Sequence, residues 1–140
     1  MFHEKVLTGA QRRVLRRLGP VVDDLGFHLA GGTAVALRLG HRRSEDFDWF
    51  SENQAVSVER LGAELRTRGL AVTVDEIGRG TFHGSMEGVR ITFLEFRYPL
   101  LEPAEMWPRY GCRVAHLKDL AAMKLSAIAP ICAAMAPSTP

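Results

Sequence analysis

The chain has 140 residues, of which 46% are hydrophobic and 24% are charged, and its formal net charge is +2. These values fit one globular domain with a sizeable core, and they argue against a protein that binds nucleic acid or membranes through bulk charge. Cys112 and Cys132 lack metal-ligand spacing, and no stretch has the apolar length of a signal peptide or a membrane span. We therefore expect a reduced, cytoplasmic protein that does not enter a membrane.

Residues 1–26 are predicted to form an N-terminal helical segment. Thr8 is a suitable N-cap, and Gly26 ends the segment as a C-terminal glycine does. Pro20 either kinks this helix or starts a second one.

A short buried strand is predicted in "FHLAG", followed by a turn at Gly31 and Gly32. Thr33 is expected to cap the next helix, which closes at Gly40. The following "DFDWF" alternates polar and aromatic residues, which is the period of a strand.

The second half begins with an amphipathic helix in "SVERLGAELRTRG" and a strand in "LAVTVDEI". A hairpin is expected to turn at Glu87 and Gly88. The proline-rich "RYPLLEPAEMWP" is predicted to be irregular and to pack Leu100, Leu101 and Trp107 over the sheet edge. A short strand and a helix then run to Pro130.

This order of elements predicts an α/β (α+β) domain over residues 1–140, with helices packed on a small mixed sheet. Residues 27–129 form its core. Residues 130–140 form an uncharged, largely apolar tail, which is unusual for a free terminus.

Two aspartates on the strand after the first glycine turn are the strongest chemical signal. Residues two apart on a strand face the same way, at roughly 6.5 Å between Cα atoms, so Asp46 and Asp48 share a face. Such a pair repels unless a cation bridges it, and magnesium binds carboxylates together with substrate phosphates. Glu95, within "ITFLEF", is the candidate third carboxylate for a two-metal site.

The same spacing is equally consistent with an exposed acidic turn paired with Arg42 and Arg43. The glycine turn favours a functional interpretation, because a helix N-terminus with free N–H groups binds anions. A phosphate site and a metal site close together in sequence indicate a bound nucleoside triphosphate.

The residues Gly31-Gly32-Thr33 followed by Asp46-x-Asp48 resemble the signature of the DNA polymerase β-like nucleotidyltransferases. The longer stretch "HLAGGTAVALRLGHRRSEDFDWFS" resembles the AbiEii/AbiGii toxin family of type IV toxin–antitoxin and abortive-infection systems. The resemblance continues through "GVRITFLEFRYPLLEP" and "VAHLKDLAAMKLSAIA", so it covers roughly residues 25–129. It implies a polymerase β-like core.

The resemblance also implies roles for individual residues. Asp46, Asp48 and Glu95 would be catalytic and would hold Mg²⁺ or Mn²⁺, with Glu95 completing the site or acting as a base. The residues implied to contact the nucleotide are Gly31, Gly32, Thr33, Arg43 and Lys124.

The implied activity is magnesium-dependent transfer of a nucleotide from an NTP to an RNA hydroxyl, such as a transfer RNA end, or to a protein hydroxyl. A cognate antitoxin is the implied partner. The basic stretch and "KD..DL" motif of the family do not follow Pro130, so we interpret the chain as C-terminally truncated. The alternative is a catalytically weak remnant that serves as a nucleotide-binding or protein-interaction module, with a homodimer formed through the apolar tail.

Overall fold

A computed structural model describes residues 2–40, 42–51, 56–95 and 99–123. Its helical elements are a 3-10 turn at Glu4–Val6, α1 at Gly9–Asp24, α2 at Gly31–Leu39, α3 at Val58–Thr67, and a helix over residues 117–123. Its strands are β1 at His28–Ala30, β2 at Phe47–Ser51, β3 at Thr73–Gly78, β4 at Thr81–Met86, β5 at Val89–Glu95, β6 at Glu105–Trp107 and β7 at Cys112–Val114.

The strands of the described residues form one mixed sheet in the order β3-β4-β5-β2-β1-β7-β6. The central strand β2 runs parallel to β5 and antiparallel to β1, and β1 runs parallel to β7. The remaining neighbours are antiparallel. The predicted mixed sheet with packed helices is therefore confirmed.

One face of the sheet is covered by α1 and α3 and contains the aromatic core. Trp49 and Phe93 are register partners on β2 and β5, and both are fully buried. Phe93 also makes edge-on contacts with Phe27 and Phe82, at centroid distances of 5.1 and 5.7 Å. Gly62 of α3 packs on this face, since a Cβ there would lie 3.4 Å from Phe82. These contacts fix β2 and β5 side by side.

The N-terminal helix agrees with the sequence at its start. Thr8 accepts a hydrogen bond from the Gln11 N–H, and the Gln11 side chain accepts one from the Thr8 N–H, which forms a capping box. The helix continues through Pro20 without a break into two helices.

Three local predictions are wrong. The N-cap of α2 is Ala30, because the helix begins at Gly31 and places Thr33 inside its first turn. The proline-rich segment contains strand β6, which is held by antiparallel pairing of Trp107 with Cys112. Leu101 is 66% exposed and does not pack on the sheet, whereas Trp107 is buried as expected.

The predicted hairpin is present between β4 and β5, and Glu87 and Gly88 both have positive φ, at 50° and 79°. Lys124 and the tail at 130–140 lie outside the described residues. Across residues 2–40, 42–51, 56–95 and 99–123, no helix is both long and apolar enough to cross a membrane.

Candidate active site

The sheet face opposite α3 carries a row of polar side chains across three strands. Along β2, Phe47 and Trp49 are buried, whereas Asp48 is only half-buried because it points the other way. Asp48 is the register partner of Thr92 on β5, and Thr92 is the register partner of His83 on β4. His83 Nδ1 and Thr92 Oγ1 lie 3.1 Å apart and share a hydrogen bond. The row therefore begins at one of the predicted aspartates.

Asp46 directly precedes β2 and shares the orientation of Asp48. Its carbonyl oxygen accepts a hydrogen bond from the Thr33 hydroxyl, and its carboxylate pairs with Arg90. Thr33 is 1% exposed. The Thr33 hydroxyl thus fixes the first turn of α2 to the aspartate segment instead of facing a ligand, which differs from its predicted role.

The glycine turn lies against Asp48. Gly31 opens α2 with a φ of +66°, and a Cβ at this position would lie only 2.8 Å from Asp48 Cγ. A side chain is therefore excluded both by the backbone conformation and by the carboxyl group. The Ala30 N-cap makes no side-chain hydrogen bond to the helix. The N-terminus of α2 and the Asp48 carboxyl group consequently lie together, as an anion site beside a metal site requires.

The electrostatics of Asp48 are unfavourable for its charged form. Burial raises the pKa of the Asp48 carboxyl group, the Asp46 charge raises it further, and His83 lowers it. A cation at the pair would reverse both unfavourable effects, because it would replace lost hydration and cancel the repulsion.

Glu95 is not brought together with the two aspartates. It lies three residues after Thr92, and an odd separation on a strand places it on the opposite, helix-covered face with Phe93. There, Glu95 Oε1 accepts a hydrogen bond of 3.4 Å from the Val58 N–H at the start of α3. Its charge therefore stabilises a helix N-terminus.

Of the two basic residues predicted to contact the nucleotide, Arg43 and Lys124, only Arg43 lies within the described residues. A Cβ built at Gly32 would lie 3.3 Å from Ser44 Oγ and 3.9 Å from Arg42 Nη2, so Arg42 stands beside the glycine turn. Arg43 is exposed. Lys124 lies beyond the last described residue, 123.

An open cleft of about 440 Å³ extends from Asp46 over the β5–β4–β3 side of the face. Its polar lining consists of Asp46, Asp75, Glu76, His83, Arg90 and Thr92. No local sequence pattern indicates that His83, Arg90 and Thr92 belong to this cleft. Strand alternation shows that Arg90 and Thr92 share a face, but only the pairing of β5 with β2 brings them to the aspartates.

The donor set fits a magnesium ion that shares its coordination with a substrate. Asp46 and Asp48 supply carboxylate oxygens, and Mg²⁺ in phosphoryl-transfer sites often takes one or two carboxylates plus phosphates and water. No group of three or more His, Cys, Asp or Glu that could hold a metal occurs among the described residues. In this part of the chain, Asp46 and Asp48 are therefore the residues that could hold such an ion.

The mixed sheet, the glycine turn and the paired aspartates define the chain as a protein of the nucleotidyltransferase fold. The sequence profile described as "Nucleotidyl transferase AbiEii toxin, Type IV TA system" matches residues 13–138, and the chain belongs to this family. The predicted family is therefore confirmed.

A curated relative and two solved structures are similar to the chain. The uncharacterized protein aq_aa25 of Aquifex aeolicus (strain VF5) is 38% identical over 124 residues, which is 85% of this chain and 58% of that protein. JHP933 from Helicobacter pylori is 17% identical with a TM-score of 0.52, and the match covers 88% of this chain and 54% of JHP933. A second H. pylori structure, of a candidate nucleotidyltransferase, is 16% identical with a TM-score of 0.52, and the match covers 88% of this chain and 56% of that one.

At these low identities, the two structures establish the shared fold. The chain spans only about half to three fifths of the length of the proteins it matches.

Proposed function

We propose that the chain is a magnesium-dependent nucleotidyltransferase that takes its nucleotide from a nucleoside triphosphate. The observation that carries this proposal is the contact between the glycine turn and Asp48, where a Cβ at Gly31 would lie 2.8 Å from Asp48 Cγ. An anion-binding helix N-terminus and a pair of carboxylates are useful at one point when the ligand is a phosphate with its metal ion.

Different groups of the chain bind the metal ion and the phosphate. Asp46 and Asp48 hold the ion, and the first N–H groups of α2 bind a phosphate. Because Gly31 has no side chain, Asp48 can lie close to the start of α2. The Thr33 hydroxyl holds Asp46 in place by donating a hydrogen bond to the Asp46 carbonyl oxygen. Magnesium, when bound, neutralises phosphate charge during transfer.

The acceptor of the nucleotide is proposed to be a hydroxyl group of RNA, such as a transfer RNA end, or of a protein. This acceptor is supported by the chain's membership of a toxin family of type IV toxin–antitoxin systems. The same membership supports a cognate antitoxin as partner.

Replacing Asp46 tests the assignment, and Asp24 offers a matched control. Asp46 pairs with Arg90, and Asp24 makes a similar ion pair with Arg68 on the helix-covered side of the sheet. We expect Asp46→Ala to abolish magnesium-dependent NTP binding in calorimetry and transfer of labelled nucleotide to RNA. Asp24→Ala should retain both. Full binding and transfer by Asp46→Ala would contradict the proposal.

A nucleotide-binding module without efficient transfer is the second candidate. It is favoured by the placement of Glu95 at the start of α3, which leaves Asp46 and Asp48 without the predicted third carboxylate. The same measurements separate the two candidates. Binding that depends on Asp46, without transfer to RNA or protein, would favour the module over the enzyme.

A further inference from the structure

Arg90 makes an ion pair with one of the two aspartates of the site. Its Nε lies 3.3 Å from Asp46 Oδ1, and the side chains of Arg90 and Asp46 are 73% and 41% exposed. Ion pairs with this exposure contribute little to folding. The contact nevertheless places a guanidinium on the carboxylate that the proposed function assigns to magnesium.

The position of Arg90 on β5 explains the pairing. Ile91 is the register partner of Phe47, so the residues before them, Arg90 and Asp46, are neighbours on the open face. A guanidinium beside Asp46 therefore offsets charge at the same point where a divalent cation would.

Arg90 is also the one lysine or arginine among the described residues that line the cleft. The carboxylates in that lining are Asp46, Asp75 and Glu76. Because these carboxylates repel a phosphate, a phosphate that binds in the cleft needs a positively charged partner. Guanidinium groups bind phosphate through parallel N–H donors. Because most of its side chain is exposed, Arg90 can change partner without disrupting packed contacts.

We propose that Arg90 is a positioning residue that exchanges partners. It neutralises Asp46 before a divalent cation binds, and it contacts a phosphate of the substrate once the cation occupies the carboxylate. This inference rests on the proposed function and adds coupling to it. The cation and the phosphate promote each other's binding, because the cation frees Arg90 and the phosphate removes the competitor from Asp46.

The first arm of the test measures Mn²⁺ binding alone, by calorimetry on the full chain. Arg90→Gln should bind Mn²⁺ up to about fivefold more tightly than the wild type, since a competing cation is gone. Arg90→Lys should restore an affinity near that of the wild type. Arg113→Gln is the matched control, because Arg113 makes a similar pair with Asp23 at 2.8 Å outside the cleft. Equal or weaker Mn²⁺ binding by Arg90→Gln would overturn the exchange.

The second arm measures phosphate ligands at saturating Mn²⁺. The probes are the α,β-methylene analogue of the NTP that the wild type binds and a 5′-phosphorylated oligoribonucleotide, titrated separately. Arg90→Gln should weaken one of them by about tenfold, through loss of a charge-assisted hydrogen bond. A loss limited to the NTP analogue assigns Arg90 to the nucleotide, and a loss limited to the oligonucleotide assigns it to the acceptor.

Unchanged affinity for both probes in Arg90→Gln would overturn the inference alone, provided that the wild type binds them. A wild-type chain that binds neither Mn²⁺ nor a phosphate probe would contradict the proposed function itself. The two failures are therefore distinguishable in the same set of titrations.

Discussion

The two faces of β2 and β5 have opposite chemistry although they share one backbone. On the helix-covered face, Trp49 and Phe93 are fully buried and stack with ring centroids 6.5 Å apart. On the open face, their neighbours Asp48 and Thr92 are half-buried and polar. The buried aromatic residues on one face therefore hold in place the two strands that carry the polar residues on the other face. Stability and activity should therefore respond separately to changes on the two faces.

The largest expected effect is on the core face. Phe93→Ala should lower the free energy of unfolding by about 3–5 kcal/mol, because it leaves a cavity beside the rings of Phe27, Trp49 and Phe82. Thr92→Val, one residue away on the open face, should change it by less than about 1 kcal/mol. Urea denaturation measures both. A loss with Thr92→Val as large as that with Phe93→Ala would break the distinction between the faces.

The glycine turn sharpens the comparison at the edge of the open face. Gly69→Ala should cost about 1–2 kcal/mol, because its φ is +84°. Apart from its two chain neighbours, no described residue has a heavy atom within 4 Å of the added Cβ. Gly31→Ala has a similar φ and also forces Asp48 to move. It should therefore cost at least about 1 kcal/mol more and also weaken Mn²⁺ binding.

Denaturation and Mn²⁺ titration of the two alanine variants check this difference. Equal costs with intact Mn²⁺ binding would show that Asp48 does not depend on the glycine.

Glu95 gives the smallest expected effect and tests which face it belongs to. Glu95→Gln should lower the free energy of unfolding by about 0.5–1 kcal/mol, through a weaker interaction with the start of α3. Its Mn²⁺ affinity and transfer rate should equal those of the wild type. Loss of Mn²⁺ binding in this variant would return Glu95 to the metal site.

The sequence predicts those features of the site that depend on local residue spacing, such as which side chains share one face of a strand. Alternation placed Asp46 and Asp48 on one face, and the same alternation along β5 groups Glu95 with Ile91 and Phe93. It did not reveal that this second group faces the helices, because the side on which α3 packs is set by contacts distant in sequence.

The remaining residues of the cleft could not be predicted for the same reason, because contacts distant in sequence bring them together. His83 reaches the aspartates only through two strand pairings, β4 with β5 and β5 with β2. Strand β6 was missed because a three-residue strand among prolines has little local signal, and its pairing with β7 is what holds it.

In the proposed function, Asp48 binds a cation although its ionised form lowers the stability of the folded protein. Burial raises its pKa above the ordinary value of 3.8, so the folded protein holds the proton more tightly than the unfolded chain. Ionised Asp48 therefore costs stability above the folded-state pKa, and this cost disappears as the pH falls below 3.8.

Thermal unfolding of the wild type and Asp48→Asn, with and without Mg²⁺ and NTP, tests this claim most directly. Without divalent ions, Asp48→Asn should have the higher Tm at neutral pH, and the difference should shrink on acidification. Added Mg²⁺ and NTP should raise the Tm of the wild type alone. A lower Tm for Asp48→Asn without ions, or an equal rise in both proteins with Mg²⁺ and NTP, would contradict the account.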